Sequence, residues 1–139
     1  MKLIRQSFRK DEILKSDKQI KMLFAQGNSF LVHPFKVNWL LSDSKGKFPA
    51  RVLLSVSKKN FRKAVERNHI KRLCREAYRK NKYILLDYLD ERGIRCNFSL
   101  VYIGRKQEEY SVVEKKIITS LKRLISEIES QADPNNPTQ

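Results

Sequence analysis

Between Lys58 and Lys82 the chain carries eleven basic side chains and two acidic ones. Groups of this type at this density bind phosphate: an arginine fork grips two oxygens, and a lysine supplies a point charge. Their angular spacing decides whether they act together. On a helical wheel with Arg67 at zero, Lys71 falls near ~40°, Arg75 ~80°, Asn68 ~100°, Arg79 ~120° and Arg72 ~140°. Leu73, Ala77, Ile70 and Cys74 take the arc from about 240° to 340°, with Tyr78 near ~20°. His69 and Glu76 lie between the arcs. A helix that is merely soluble mixes Glu with Lys for local pairing. Here the acids stay off the cationic arc, which points to a polyanion-binding edge anchored to a core. The blander alternative is a solvated helix face.

Other chemistry-bearing residues are less organised. The pairs Asp11-Glu12, Asp90-Glu91 and Glu108-Glu109 suggest a two-metal nuclease, but no motif converges them, and they read as surface acids. His69 reads as a boundary residue, and His33, before Pro34, as a loop residue. Cys74 and Cys96 lack metal spacing. Both read as small buried hydrophobes in a reducing compartment, which makes the cytoplasm the expected location. No protein-borne catalytic residue and no protein metal site are expected.

The 139 residues suit one domain over 1–130, with 131–139 a disordered tail poor in apolar residues. Net charge is +7 over residues 1–57, +9 over 58–82 and −1 over 83–139, for a total of +15. A polyanion should therefore dock on the first 82 residues, with the C-terminal part as scaffold. No apolar run is long enough to cross a bilayer, and the N-terminus opens no signal-type stretch.

The positioning elements follow from periodicity. Residues 1–13 read as an extended arm with Phe8 as anchor. A helix over Asp17–Gln26 follows, with Ser16 and Gln19 at capping-box spacing, Gly27 at its end, and Ile20, Leu23 and Phe24 as its buried stripe. Phe35–Leu41 and Arg51–Ser57 alternate as strands and are expected to pair antiparallel across the turn-like 42–47. The basic helix is expected from about Arg62 to Lys80, with continuation through Leu86 as an alternative. Cys96–Ile103 is a strand and Tyr110–Ser130 a helix with Val113, Ile117, Leu121, Leu124 and Ile128 on one face. The expectation is an α+β fold, a two-layer α/β sandwich in the order α-β-β-(β)-α-β-α, the optional strand lying near Lys58.

Ser55-Val56-Ser57-Lys58-Lys59, then Ala64-Val65-Glu66-Arg67-Asn68-His69-Ile70-Lys71-Arg72 and Arg75-Glu76, resemble the protein subunit of bacterial ribonuclease P. That family pairs an S-V-S-K-K strand end with an A-V-x-R-N-R-x-K-R-x-x-R helix. The resemblance implies a left-handed βαβ crossover, where connection rules favour the opposite hand. It implies an accessory subunit of the tRNA 5′-processing endoribonuclease, in which the RNA is the catalyst. The implied partners are that RNA and precursor tRNA with its single-stranded 5′ leader; no membrane and no obligatory protein partner are expected. Mg2+ is held mainly by the RNA and substrate, and no organic cofactor is implied.

Carried over by position, Lys58, Lys59, Arg67, Asn68, Lys71, Arg72 and Arg75 match the RNA-contacting block, and Arg79 shares its arc. Ile20, Phe24, Lys36 and Asn38 fall at the leader cleft. Ile20 stands where many members have phenylalanine, Asn38 where some have tyrosine, and His69 replaces the second arginine of R-N-R. Alternatives stand beside several of these. Phe24 fits core packing as well as leader stacking, and Asn68 fits an internal brace as well as RNA contact. Lys58 and Lys59 fit solubilising strand-end charges, while Lys36 and Asn38 fit the wet side of an edge strand. A second function also fits: a noncatalytic ribosome-associated or chromosomal nucleic-acid-binding module.

Overall fold

The structure, a computed structural model, describes residues 8, 10–43 and 48–132. Most of the 42–47 turn, the expected tail beyond 132 and the first seven residues of the arm lie outside that description. Ser16 caps helix α1 (Asp17–Gln26), its hydroxyl accepting the Gln19 amide at 3.3 Å. Gly27 ends the helix with φ −75°, so no left-handed backbone is involved. Close approach is what demands glycine: a Cβ there would stand 2.3 Å from the Leu23 carbonyl oxygen and 2.8 Å from that of Trp39. Gly27→Ala is expected to cost about 1–3 kcal/mol, measured by chemical denaturation.

Four strands follow in the chain: β1 (Asn28–Val32), β2 (Phe35–Ser42), β3 (Ala50–Val56) and β4 (Arg95–Tyr102). Their order in the sheet is β1-β2-β4-β3. The expected β2–β3 hairpin does not form. β4 inserts between them, antiparallel to β2 and parallel to β3. The physical reason is burial: β4 is covered on nearly every residue, and a strand covered on both faces belongs in a sheet's interior. The optional strand near Lys58 does not form, residues 58–60 making a turn instead, and a strand that was not expected lies at Asn28–Val32. β1 pairs only with β2, so it depends on a partner formed later in the chain.

Three helices cover one face of the sheet: α2 (Ala64–Asn81), α3 (Tyr83–Arg92) and α4 (Tyr110–Ala132). Phe35, Val37 and Trp39 of β2 and Phe98, Leu100 and Tyr102 of β4 pack in one cluster with Ile70, Cys74, Leu85, Leu89 and the α4 stripe. All five expected α4 stripe residues are fully buried. The result is the α+β sandwich, with β3 and β4 joined through α2 and α3 as parallel neighbours.

Helix α1 takes the other face. Ile13 bridges Val52 on the outer edge of β3, and fourteen residues later, beyond the ten of α1, the chain reaches Gly27 beside Trp39 of β2. A ten-residue helix spans about 15 Å, enough to cross strands about 5 Å apart. The core face is already filled. Leu14 and Leu23 are buried outside the main cluster, as this second contact requires.

Glu12, read as a surface acid, and Lys82, counted with the basic stretch, are inside. Glu12 and Lys82 have side chains 1% exposed, with the ammonium 2.7 Å and 3.0 Å from the two carboxylate oxygens. Lys82 is also where the basic helix ends. The chain bends there and restarts as α3, which buries Leu85, Leu86 and Leu89. Phe8 packs edge-on against Tyr78 at 5.4 Å between ring centres, and Lys10–Glu12 forms a 3-10 turn where an extended arm was expected.

Candidate nucleic-acid interface

Helix α2 keeps the sidedness its spacing predicts. Ile70, Cys74, Ala77 and Tyr78 are buried, while Asn68, Arg72 and Arg75, at i, i+4 and i+7, are exposed. Arg67 and Lys71 lie half-buried on the flank. Arg67 serves the fold: its Nη1 donates to the carbonyls of Phe61 at 2.8 Å and Arg62 at 2.7 Å. These bonds brace the turn before a helix whose N-cap, Lys63, supplies no side-chain bond. Among the described residues Lys58, Lys59, Asn68, Lys71, Arg72 and Arg75 make no side-chain hydrogen bond or ion pair. They are the groups available to an external anion.

Arg79 differs. It makes a two-pronged contact with Glu76, Nε to Oε2 at 3.0 Å and Nη2 to Oε1 at 2.6 Å. These bonds hold the Glu76 carboxyl below its ordinary range and raise the Arg79 guanidinium. Glu76 was expected off the cationic arc, yet i, i+3 positions lie only about 60° apart on the wheel, within side-chain reach. Arg79 is therefore a partly neutralised member of the ridge. Glu76→Gln removes that carboxylate and should steepen the salt dependence of RNA binding by up to about 0.9 log units per log unit of salt.

On the α1 side of the sheet, β2 and β4 make a polar floor. Asn38 and Ser99 are register partners and so share a face. Their Oδ1 and Oγ atoms are buried without a hydrogen-bond partner. Asn97, also buried, follows on the same face of β4. The edge-strand reading of Asn38 fails because β2 lies inside the sheet; Lys36 on that face is exposed. Phe24 does not join the core: it is 47% exposed, and Ile20 is half-buried. Of the expected α1 stripe only Leu23 is fully covered. Ser99 and Asn97 were missed in the sequence, although polar residues alternating with Cys96, Phe98 and Leu100 were a readable sign.

The family described as Ribonuclease P matches residues 8–129, nearly the whole chain. This chain belongs to the ribonuclease P protein family. The ribonuclease P protein component of Porphyromonas gingivalis strain ATCC 33277 is 36% identical over 126 residues, covering 91% of this chain and 92% of its own. That of Chlorobium phaeobacteroides is 41% identical over 109 residues, covering 73% and 75%. The Staphylococcus aureus RNase P protein structure superposes with a TM-score of 0.64 at 23% identity, over 81% of this chain and 94% of that one. The Thermotoga maritima RNase P protein gives 0.64 at 22% identity, over 81% and 96%. These two likenesses concern the fold. The protein is thus the accessory subunit of ribonuclease P, the tRNA 5′-processing endoribonuclease, and works with the ribonuclease P RNA. Among the described residues no three His, Cys, Asp or Glu side chains stand together as metal ligands, and no helix is long and apolar enough to cross a membrane.

Proposed function

We propose that the ridge Asn68–Arg72–Arg75, with Lys58, Lys59 and Lys71, docks on phosphates of the catalytic RNA. The α1–sheet cleft would then hold the single-stranded 5′ leader of precursor tRNA. One observation carries the reading: the exposed ridge cations have no partner among the described residues, while Arg67 and Arg79 beside them are held by the protein. In the cleft, Phe24 offers a ring for stacking, Lys36 offers a charge, and Asn38, only slightly exposed, lies in the polar floor beneath them. Ile20 supplies apolar contact without a second stacking plane.

In this reading the chemistry belongs to the RNA, with Mg2+ bound by RNA and substrate. A reducing, cytoplasmic setting suits two buried thiols that burial pushes up to about 12.

Adding the protein to a bacterial ribonuclease P RNA and precursor tRNA at low magnesium should greatly increase 5′ processing. Salt-sensitive retention without that gain would favour a general nucleic-acid-binding module instead. Phe24→Ala should weaken binding of leader-bearing substrate, relative to a leaderless one, by about 1–3 kcal/mol. Because the ring is half exposed, thermal stability should hardly change. Equal loss for both substrates would remove Phe24 from the leader site.

A further inference from the structure

We infer that a second RNA-binding site lies at the end of the sheet beside α2, on Arg105 and Lys106, and takes one nucleotide of the catalytic RNA. The inference rests on the ribonuclease P RNA being the partner of the α2 ridge. An open cavity of about 410 Å³ is lined there by His33, Ile103, Gly104, Arg105, Lys106 and Glu108. That volume suits a nucleotide-sized ligand. Arg105 and Lys106 are exposed and make no side-chain hydrogen bond or ion pair among the described residues. Two adjacent cations can hold one phosphodiester. The Glu108 carboxylate, which would repel that phosphate, is suited to accept from a ribose 2′-hydroxyl or a base amino group.

The loop is held in place before any ligand arrives. Tyr102 donates its hydroxyl to the Lys106 carbonyl at 2.7 Å and accepts from the Glu108 amide at 3.2 Å. The Asn60 amide donates to the Ile103 carbonyl at 2.9 Å, and the Ile103 amide to the Pro34 carbonyl at 2.8 Å. Gly104 fits because a Cβ would stand 2.9 Å from the Pro34 Cβ and 3.1 Å from the Tyr102 ring. A site ordered in advance loses little freedom on binding.

Its position identifies the occupant. Asn60 directly follows Lys58 and Lys59, and the Gln107 amide reaches the Glu66 carboxylate of the first α2 turn at 3.4 Å. The cavity therefore continues the α2 surface, whereas the α1 cleft crosses the sheet face. An RNA lying on α2 runs on to Arg105 and Lys106 by this route.

The test is the salt dependence of binding to a bacterial ribonuclease P RNA transcript without substrate. The Arg105→Gln/Lys106→Gln variant should flatten the log–log slope by about 0.9 and weaken binding at 0.15 M salt by about 5-fold. Its thermal midpoint should match that of the parent, since both side chains are exposed. Arg72→Gln is the reference and should flatten the slope by about 0.9. An unchanged slope in the double variant, with Arg72→Gln behaving as expected, overturns this inference and leaves the α2 reading standing. If neither variant changes the slope, both fall. If only binding of leader-bearing precursor tRNA suffers, the occupant is the leader and the inference is likewise overturned.

Discussion

Glu12→Gln is expected to lower folding stability by about 3–5 kcal/mol, because it leaves the Lys82 ammonium buried without its counter-charge. The magnitude follows from depth. Both side chains are 1% exposed, so water cannot replace the lost partner. An exposed pair would be worth at most about 1 kcal/mol. A domain of this size has only about 5–15 kcal/mol to lose. Thermal and urea midpoints measure the effect. Replacing both partners, Glu12→Leu with Lys82→Met, should recover most of the loss, since an apolar pair removes the desolvation cost along with the attraction. A loss below about 1 kcal/mol for Glu12→Gln would show that the pair is hydrated. The effect reaches function because Ile13 and Leu14, just after Glu12, dock on β3 and feed α1 across the sheet. Loosening them should weaken leader binding more than docking of the catalytic RNA.

The second large effect is on assembly. Lys71→Gln, Arg72→Gln and Arg75→Gln together should flatten the salt dependence of RNA binding by about 2.7. At 0.15 M salt the same counterion argument gives about a hundredfold loss of affinity. Folding should survive, because Arg72 and Arg75 are exposed and glutamine keeps part of the Lys71 stem contact. Processing at low magnesium should fall with assembly, while the RNA's own cleavage at high magnesium should persist, no protein group being assigned to the chemistry. Unchanged affinity and slope in the triple variant would remove α2 from the interface.

Much of this architecture was legible along the chain, and the legible parts share a cause. The α1 bounds, the Ser16 cap, the α4 stripe and the two faces of α2 depend on neighbours one to four residues apart, where periodicity and capping act. The strand pairing was not legible. β4 separates β2 from β3 because its two faces are both covered, and helices formed elsewhere in the chain provide that cover. β1 was missed for a related reason: five residues ending at His33-Pro34 become a strand only against β2. The edge-strand alternative for Asn38 failed through the same error, since an interior strand buries what an edge strand would wet. The contact between Glu76 and Arg79 is different, being local and within reach of the i, i+3 rule.

The order of residues by itself determined that a basic, one-sided helix follows the Ser55–Lys59 strand end, and with it the family. The tertiary structure decided which of those cations remain for RNA. Arg72 and Arg75 face outward, Arg67 turns onto the Phe61 and Arg62 carbonyls, and Lys82 goes inward to a carboxylate seventy residues away. Helical spacing sets the direction in which a side chain leaves its helix. What it meets there depends on segments that only folding brings alongside.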